Sequence, residues 1–302
     1  MMAMKNQLVA WTLSMGMCVV GKAGEDASKR EFLENGKVKI GVDLSSGGSV
    51  FWFSELPGDR NLLNHADRGR FIQQSYYGKP DGSIWNKKPW RWNPVQGGDY
   101  KGKPAKTLEV KQTRETLYVR SIPVNWAGGQ DIEDCRMEEW IELNDKVAHL
   151  RFRFTYQGKE THPATHQEMP AVFMDHDLTD LVYYKGGNPW KGETYQRDTP
   201  GWPNEQRNTN ENWAGFIGKD GRGLGVLFPG TDLVTTYRHA GPGGPSGSGC
   251  SYFAPIRTIA ITPGFAIEYH VYLTIGTPEE MRDRFKPLAL QSAKTPTEPP
   301  AK

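Results

Sequence analysis

The chain has 302 residues, with 37 basic against 35 acidic side chains and a mean hydropathy of −0.65. With charge this even and no basic block or stripe, it offers no footprint for nucleic acid. Its 11% aromatic content and 34 glycines exclude a disordered chain and point to a β-rich globular protein with long loops.

Residues 1–23 read as a signal peptide. Lys5 gives a positive start, residues 8–20 are an apolar run too short to span a bilayer with ease, and Gly21-Lys22-Ala23 is a small-x-small cleavage site. Its removal takes away two lysines and leaves 35 acids against as many bases. A secreted or periplasmic protein is expected, with no membrane contact after cleavage. Two cysteines then remain, Cys135 and Cys250; an oxidising compartment would let them pair if the fold brought them together. No CxxC occurs, and neither a metal nor a cofactor is expected.

After a charged lead-in at residues 25–30, alternation with period two predicts a strand at 37–44, a Ser/Gly turn at 45–48 and a partner strand at 49–56. Residues 67–99 follow no such rule. They carry Phe71, Tyr76, Tyr77, Trp85, Trp90 and Trp92, interleaved with Arg70, Gln73, Asn93 and Gln96. Further strands are predicted at 108–112, 117–126, 136–143, 148–157, 170–174 and 181–184. Residues 185–211 form a long loop, ordered by Trp190 and Trp202. A hairpin at 213–217 and 223–228, then strands at 233–237, 252–261 and 265–275, complete the sheets. One short helix opens at Thr277 with a capping box closed by Glu280 and ends near Phe285. Residues 287–302 are a Pro/Thr/Lys tail expected to be disordered. With no repeat, no linker and no βαβ rhythm, residues 30–286 are predicted to be one all-β domain, a large antiparallel β-sandwich.

Rings alternating with planar amides and guanidinium groups suit a saccharide. Its apolar faces stack on aromatics, and its hydroxyls need donors and acceptors in fixed places. The expected binding residues are Arg70, Gln73, Tyr77, Trp92, Asn93 and Gln96, joined by Glu138, Trp213 and Tyr237 from later strands. For chemistry, His166 and Glu168 are two apart on an extended backbone and so present an imidazole and a carboxylate on one face. Glu211 beside Trp213 makes a second candidate, and Tyr76 and His239 complete the catalytic set. Tyr76, Trp92, His166 and Trp213 are expected to share one hollow.

The series GGSVFWFSE, DRGRFIQQSYY, WNPVQGGD, MEEWIEL, HQEMPAVF, ENWAGFIGKDGRGLGVLFPG and APIRTIAITPGFAIEYHVYLTIGT resembles secreted bacterial proteins with a galactose-mutarotase-like β-supersandwich, over residues 37–285. The resemblance implies a sugar ligand in the concave face of the larger sheet. Epimerases of this fold use a His and a Glu near the last strands, whereas residues 235–239 here hold no acid. The expected function is cleavage of a polysaccharide or oligosaccharide, by hydrolysis ahead of β-elimination. The alternatives are a non-catalytic glycan-binding protein and an aldose epimerase.

Overall fold

Strands form where apolar and polar residues alternate. Along Cys135–Asn144 and Val147–Tyr156, Met137, Ile141, Leu150, Phe152 and Phe154 are buried, while the residues between them turn to the opposite face. The two strands pair in antiparallel register from Cys135↔Tyr156 to Asn144↔Val147. In the computed structural model, which describes residues 30–64, 68–192, 194–243 and 247–292, this hairpin belongs to a nine-stranded sheet. The order there is Gln196–Asp198, Asp180–Tyr183, Trp213–Ile217, Gly223–Leu227, Ala266–Gly276, Val147–Tyr156, Cys135–Asn144, Thr116–Ile122 and Lys106–Gln112.

A seven-stranded sheet faces it: Val124–Asn125, Pro94–Val95, Gln73–Ser75, His162–Met174, Cys250–Ile261, Leu233–His239 and Glu205–Asn208. Rings join the two layers. Tyr76 stacks on Phe154 at 4.0 Å between centroids, and Phe216 lies parallel to Phe253 at 6.4 Å. All four are fully buried, each contributing about 2–3 kcal/mol through apolar burial. A three-stranded sheet, Arg30–Glu34, Val38–Asp43 and Ser49–Glu55, joins through the bridge Val50↔Ile72.

Several elements exceed what the sequence predicts. The strand expected at 170–174 runs over thirteen residues, His162–Met174, and the loop expected at 185–211 contains Gln196–Asp198 and Glu205–Asn208. The central aromatic stretch supplies Gln73–Ser75 and Pro94–Val95, with a separate hairpin of Pro80–Trp85 and Lys88–Arg91 between them. Cys135 and Cys250 are buried in different sheets and form no disulfide with each other. The expected signal segment 1–23 lies outside the described residues. No helix among those described is long and apolar enough to cross a membrane.

The helix spans Pro278–Ser292, so residues 287–292 of the expected disordered tail are helical; the remainder lies outside the described residues. Its start is the predicted capping box: Thr277 N donates to Glu280 Oε2 at 2.9 Å, and Glu280 N to Thr277 Oγ1 at 3.3 Å. It continues through Pro287 because Leu288 and Ala289 still pack on the sheet, beside Trp213, Met281 and Phe285. Gly225 permits the close approach, since a Cβ there would stand 2.7 Å from Met281 Sδ.

Glu211 anchors the same helix. Arg282 grips it with Nε, at 3.1 and 2.9 Å from the two carboxylate oxygens, and with Nη2; Trp213 Nε1 and Trp190 N donate as well. Glu211 and Trp213 are both fully buried. Arg282→Lys keeps the charge but loses the planar fork. It should lower unfolding free energy by about 2 kcal/mol in urea titrations.

Candidate functional site

A cleft of about 470 Å³ opens on the outer face of the seven-stranded sheet, the smaller of the two main sheets and not the larger one that the resemblance implies. Alternation along the strands decides which side chains enter it. From the segment that begins at Gln73, residues 73, 75 and 77 line the cleft, while Gln74 and Tyr76 turn inward and are fully buried. From His162–Met174, His166 and Glu168 line it, as their spacing predicts. A register irregularity between Glu168 and Ala171 then shifts the alternation, so that Ala171 and Phe173 stay on the same face. Tyr237 and Tyr252, direct partners on adjacent strands, stack at 4.5 Å on the cleft floor.

Glu168 lies at the centre, opposite Ser75 on one neighbouring strand and Ile256 on the other. Tyr252 Oη donates to its Oε1 at 2.7 Å, and the nearby hydroxyls of Tyr77 and Ser75 favour its charged form. Burial pushes its pKa up from the ordinary carboxylate range, and the three hydroxyls only partly offset this. Burial and the neighbouring Glu168 charge also hold both phenols well above their usual pKa, so Tyr77 and Tyr252 act as donors. His166 is exposed in the same cleft, two residues away.

Gln167 fixes Tyr77 from behind. It is fully buried; its Oε1 accepts from Tyr77 N at 2.6 Å, and its Nε2 donates to Tyr77 O at 3.0 Å and to Ile259 O at 3.2 Å. One amide thus continues the ladder where the strand Gln73–Ser75 ends. Gln167→Leu would take this partner from all three backbone groups and should cost about 2 kcal/mol in chemical denaturation.

Two aromatic rims bound the cleft. On one side the Pro80–Trp85/Lys88–Arg91 hairpin brings Trp85 against Trp90 at 4.8 Å and against Trp126 at 6.1 Å. Across the strand order, Trp202 is 63% exposed and stands edge-on to Tyr237 at 4.8 Å. Arg91 is exposed, with its guanidinium 5.5 Å from the Trp90 ring centre. Arg70 lines the floor and donates to Ser248 O at 2.9 Å. Gln73 is 2% exposed; its Nε2 donates to Gly69 O at 2.8 Å, and its Oε1 has no partner among the described residues. Asn93 lines the wall, yet its amide is committed, donating to Tyr76 O at 2.7 Å and accepting from Trp90 Nε1 at 3.2 Å.

Thus Arg70, Gln73, Tyr77, Asn93, His166, Glu168 and Tyr237 come together. The other expected site residues do not enter the cleft. Tyr76 is inside the sandwich on Phe154. Trp92 stacks on His162 at 3.9 Å, because Gly78 leaves room for the pair. Gln96 is buried between the sheets, bonded to Glu139. Glu138 is on the nine-stranded sheet, accepting from Tyr118 Oη at 2.8 Å. Glu211 and Trp213 hold the helix, and His239 lies beyond the rim, 5.8 Å from Trp202. Of the four residues expected to share one hollow, only His166 lines the cleft. Sequence reasoning missed Ser75, Arg91, Trp126, Trp202 and above all Tyr252.

No protein-family model matches the chain, and no curated protein matches it. Solved structures do. A galactose mutarotase related enzyme from Lactobacillus acidophilus superposes with a TM-score of 0.53 at 10% identity, over 82% of this chain and 98% of that one. A galactose mutarotase-like protein from Lactobacillus casei ATCC 334 gives 0.53 at 10% identity, over 82% and 100%. The Slr1438 protein from Synechocystis sp. PCC 6803 gives 0.54 at 13%, over 83% and 97%. With its large antiparallel sheets and single α-helix among the described residues, the chain has the galactose mutarotase-like β-sandwich fold.

Proposed function

We propose that the protein is a carbohydrate-active enzyme that holds a saccharide in this cleft and breaks a glycosidic bond by proton transfer through Glu168. The observation that carries the reading is the carboxyl group itself. It sits on the cleft floor with its pKa raised by burial, is held by Tyr252, and shares its strand face with His166. The aromatic rims and the tyrosines of the floor supply what sugar rings and hydroxyls need. The likeness to galactose mutarotase-related proteins agrees in ligand class. Export follows from residues 1–23, and the N-terminus of the mature protein would check it.

The test is a glycan panel read by new reducing ends, for the wild type and for Glu168→Gln. Cleavage by the wild type that the variant loses supports the reading. Saccharide binding with no cleavage of any glycan would make this a binding protein instead.

A further inference from the structure

Resting on that reading, we infer that the saccharide is anionic, a uronate-bearing oligosaccharide, and that its glycosidic bond breaks by β-elimination. Charge on the cleft wall carries the inference. Among the described residues the lining holds two guanidinium groups, Arg70 and Arg91, against one carboxyl, Glu168. Arg91 is exposed and forms no ion pair among the described residues; its contact is the face of Trp90. A cation so placed beside an aromatic wall can take a carboxylate carried on a stacked sugar ring.

The same count argues against hydrolysis. Hydrolysis of a glycosidic bond takes two carboxyl groups flanking it, and no second one lines the described cleft. Elimination takes one base, one acid and a cation on the uronate carboxylate, and these are present. Glu168 removes the proton from the carbon next to the carboxylate, where neutralisation by Arg91 makes that carbon more acidic. The released electron pair forms a carbon–carbon double bond to the adjacent carbon. The bond from that carbon to the glycosidic oxygen breaks, and the oxygen takes a proton from the imidazole of His166. No water is consumed; Glu168 ends protonated and His166 deprotonated, and exchange with solvent restores both.

The experiment uses polyuronate oligosaccharides, their carboxyl-reduced counterparts and neutral glycans. Products are read by ultraviolet absorbance of the conjugated unsaturated uronate and by mass. Calorimetry with Glu168→Gln measures binding without turnover. The expected result is absorbing products whose masses sum to that of the substrate. Carboxyl reduction should weaken binding about tenfold or more, and Arg91→Gln, shown folded by its melting curve, should abolish that preference. Products heavier by one water, or equal affinity for reduced and native oligosaccharides, would overturn the inference and leave the saccharide reading standing. Binding of a uronate oligosaccharide without any cleavage would overturn the elimination step. Failure to bind any saccharide would remove both.

Discussion

Glu168→Gln should lower kcat by about 10²–10⁴-fold, the usual contribution of a positioned general acid or base, while leaving saccharide affinity largely intact. The amide oxygen can still accept from Tyr252, so the cleft floor keeps its shape. The pH profile gives a second readout. Because burial raises the Glu168 pKa, the acidic limb of kcat/KM should lie above the ordinary carboxylate range. Tyr252→Phe removes a donor that favours the carboxylate form, so the limb should move further toward high pH. A limb that stays in place in Tyr252→Phe would dissociate Glu168 from the proton-transfer step.

The fold was legible because its signals are local. Alternation and the Thr277–Glu280 capping box each state their structure within a few residues. The pair His166 and Glu168 was legible for the same reason. What the sequence hid was facing. Tyr76 and Tyr77 are equally aromatic, but only the second has the alternation phase of Gln73 and Ser75. Tyr252 sits in Cys250–Ile261, whose first seven residues are all buried, so no polar alternation marks the cleft side. Glu211 beside Trp213 looked like a sugar subsite, because a carboxylate that bonds an indole reads the same whether its other partner is a ligand or Arg282.

The polar residues of the aromatic stretch misled in a more instructive way. Gln96 was expected to meet a sugar because a buried amide needs partners, and it finds them inside the sandwich. Its Oε1 accepts from Gln74 N at 3.1 Å, and its Nε2 donates to Glu139 Oε2 at 2.9 Å; Gln74 in turn accepts from Tyr76 Oη at 3.1 Å. Polar amides thus tie the two sheets together, and the acid among them carries the second large prediction.

Glu139 is fully buried on the inner face of Cys135–Asn144, and its Oε1 has no partner among the described residues. Burial pushes its pKa up to about 8, against an ordinary value of 4.5, with the Gln96 amide only partly opposing. The folded protein therefore holds a proton that the unfolded chain releases near pH 4.5. Stability linked to this group is complete below pH 4.5, falls as pH rises, and levels off above about 8. The span between those limits is about 5 kcal/mol. Glu139→Gln keeps the shape and the Gln96 contact without the titration. In urea titrations the variant should match the wild type at pH 4 and exceed it by about 3 kcal/mol at pH 7. A wild-type/variant difference that does not change with pH would show that Glu139 keeps an ordinary pKa in the fold.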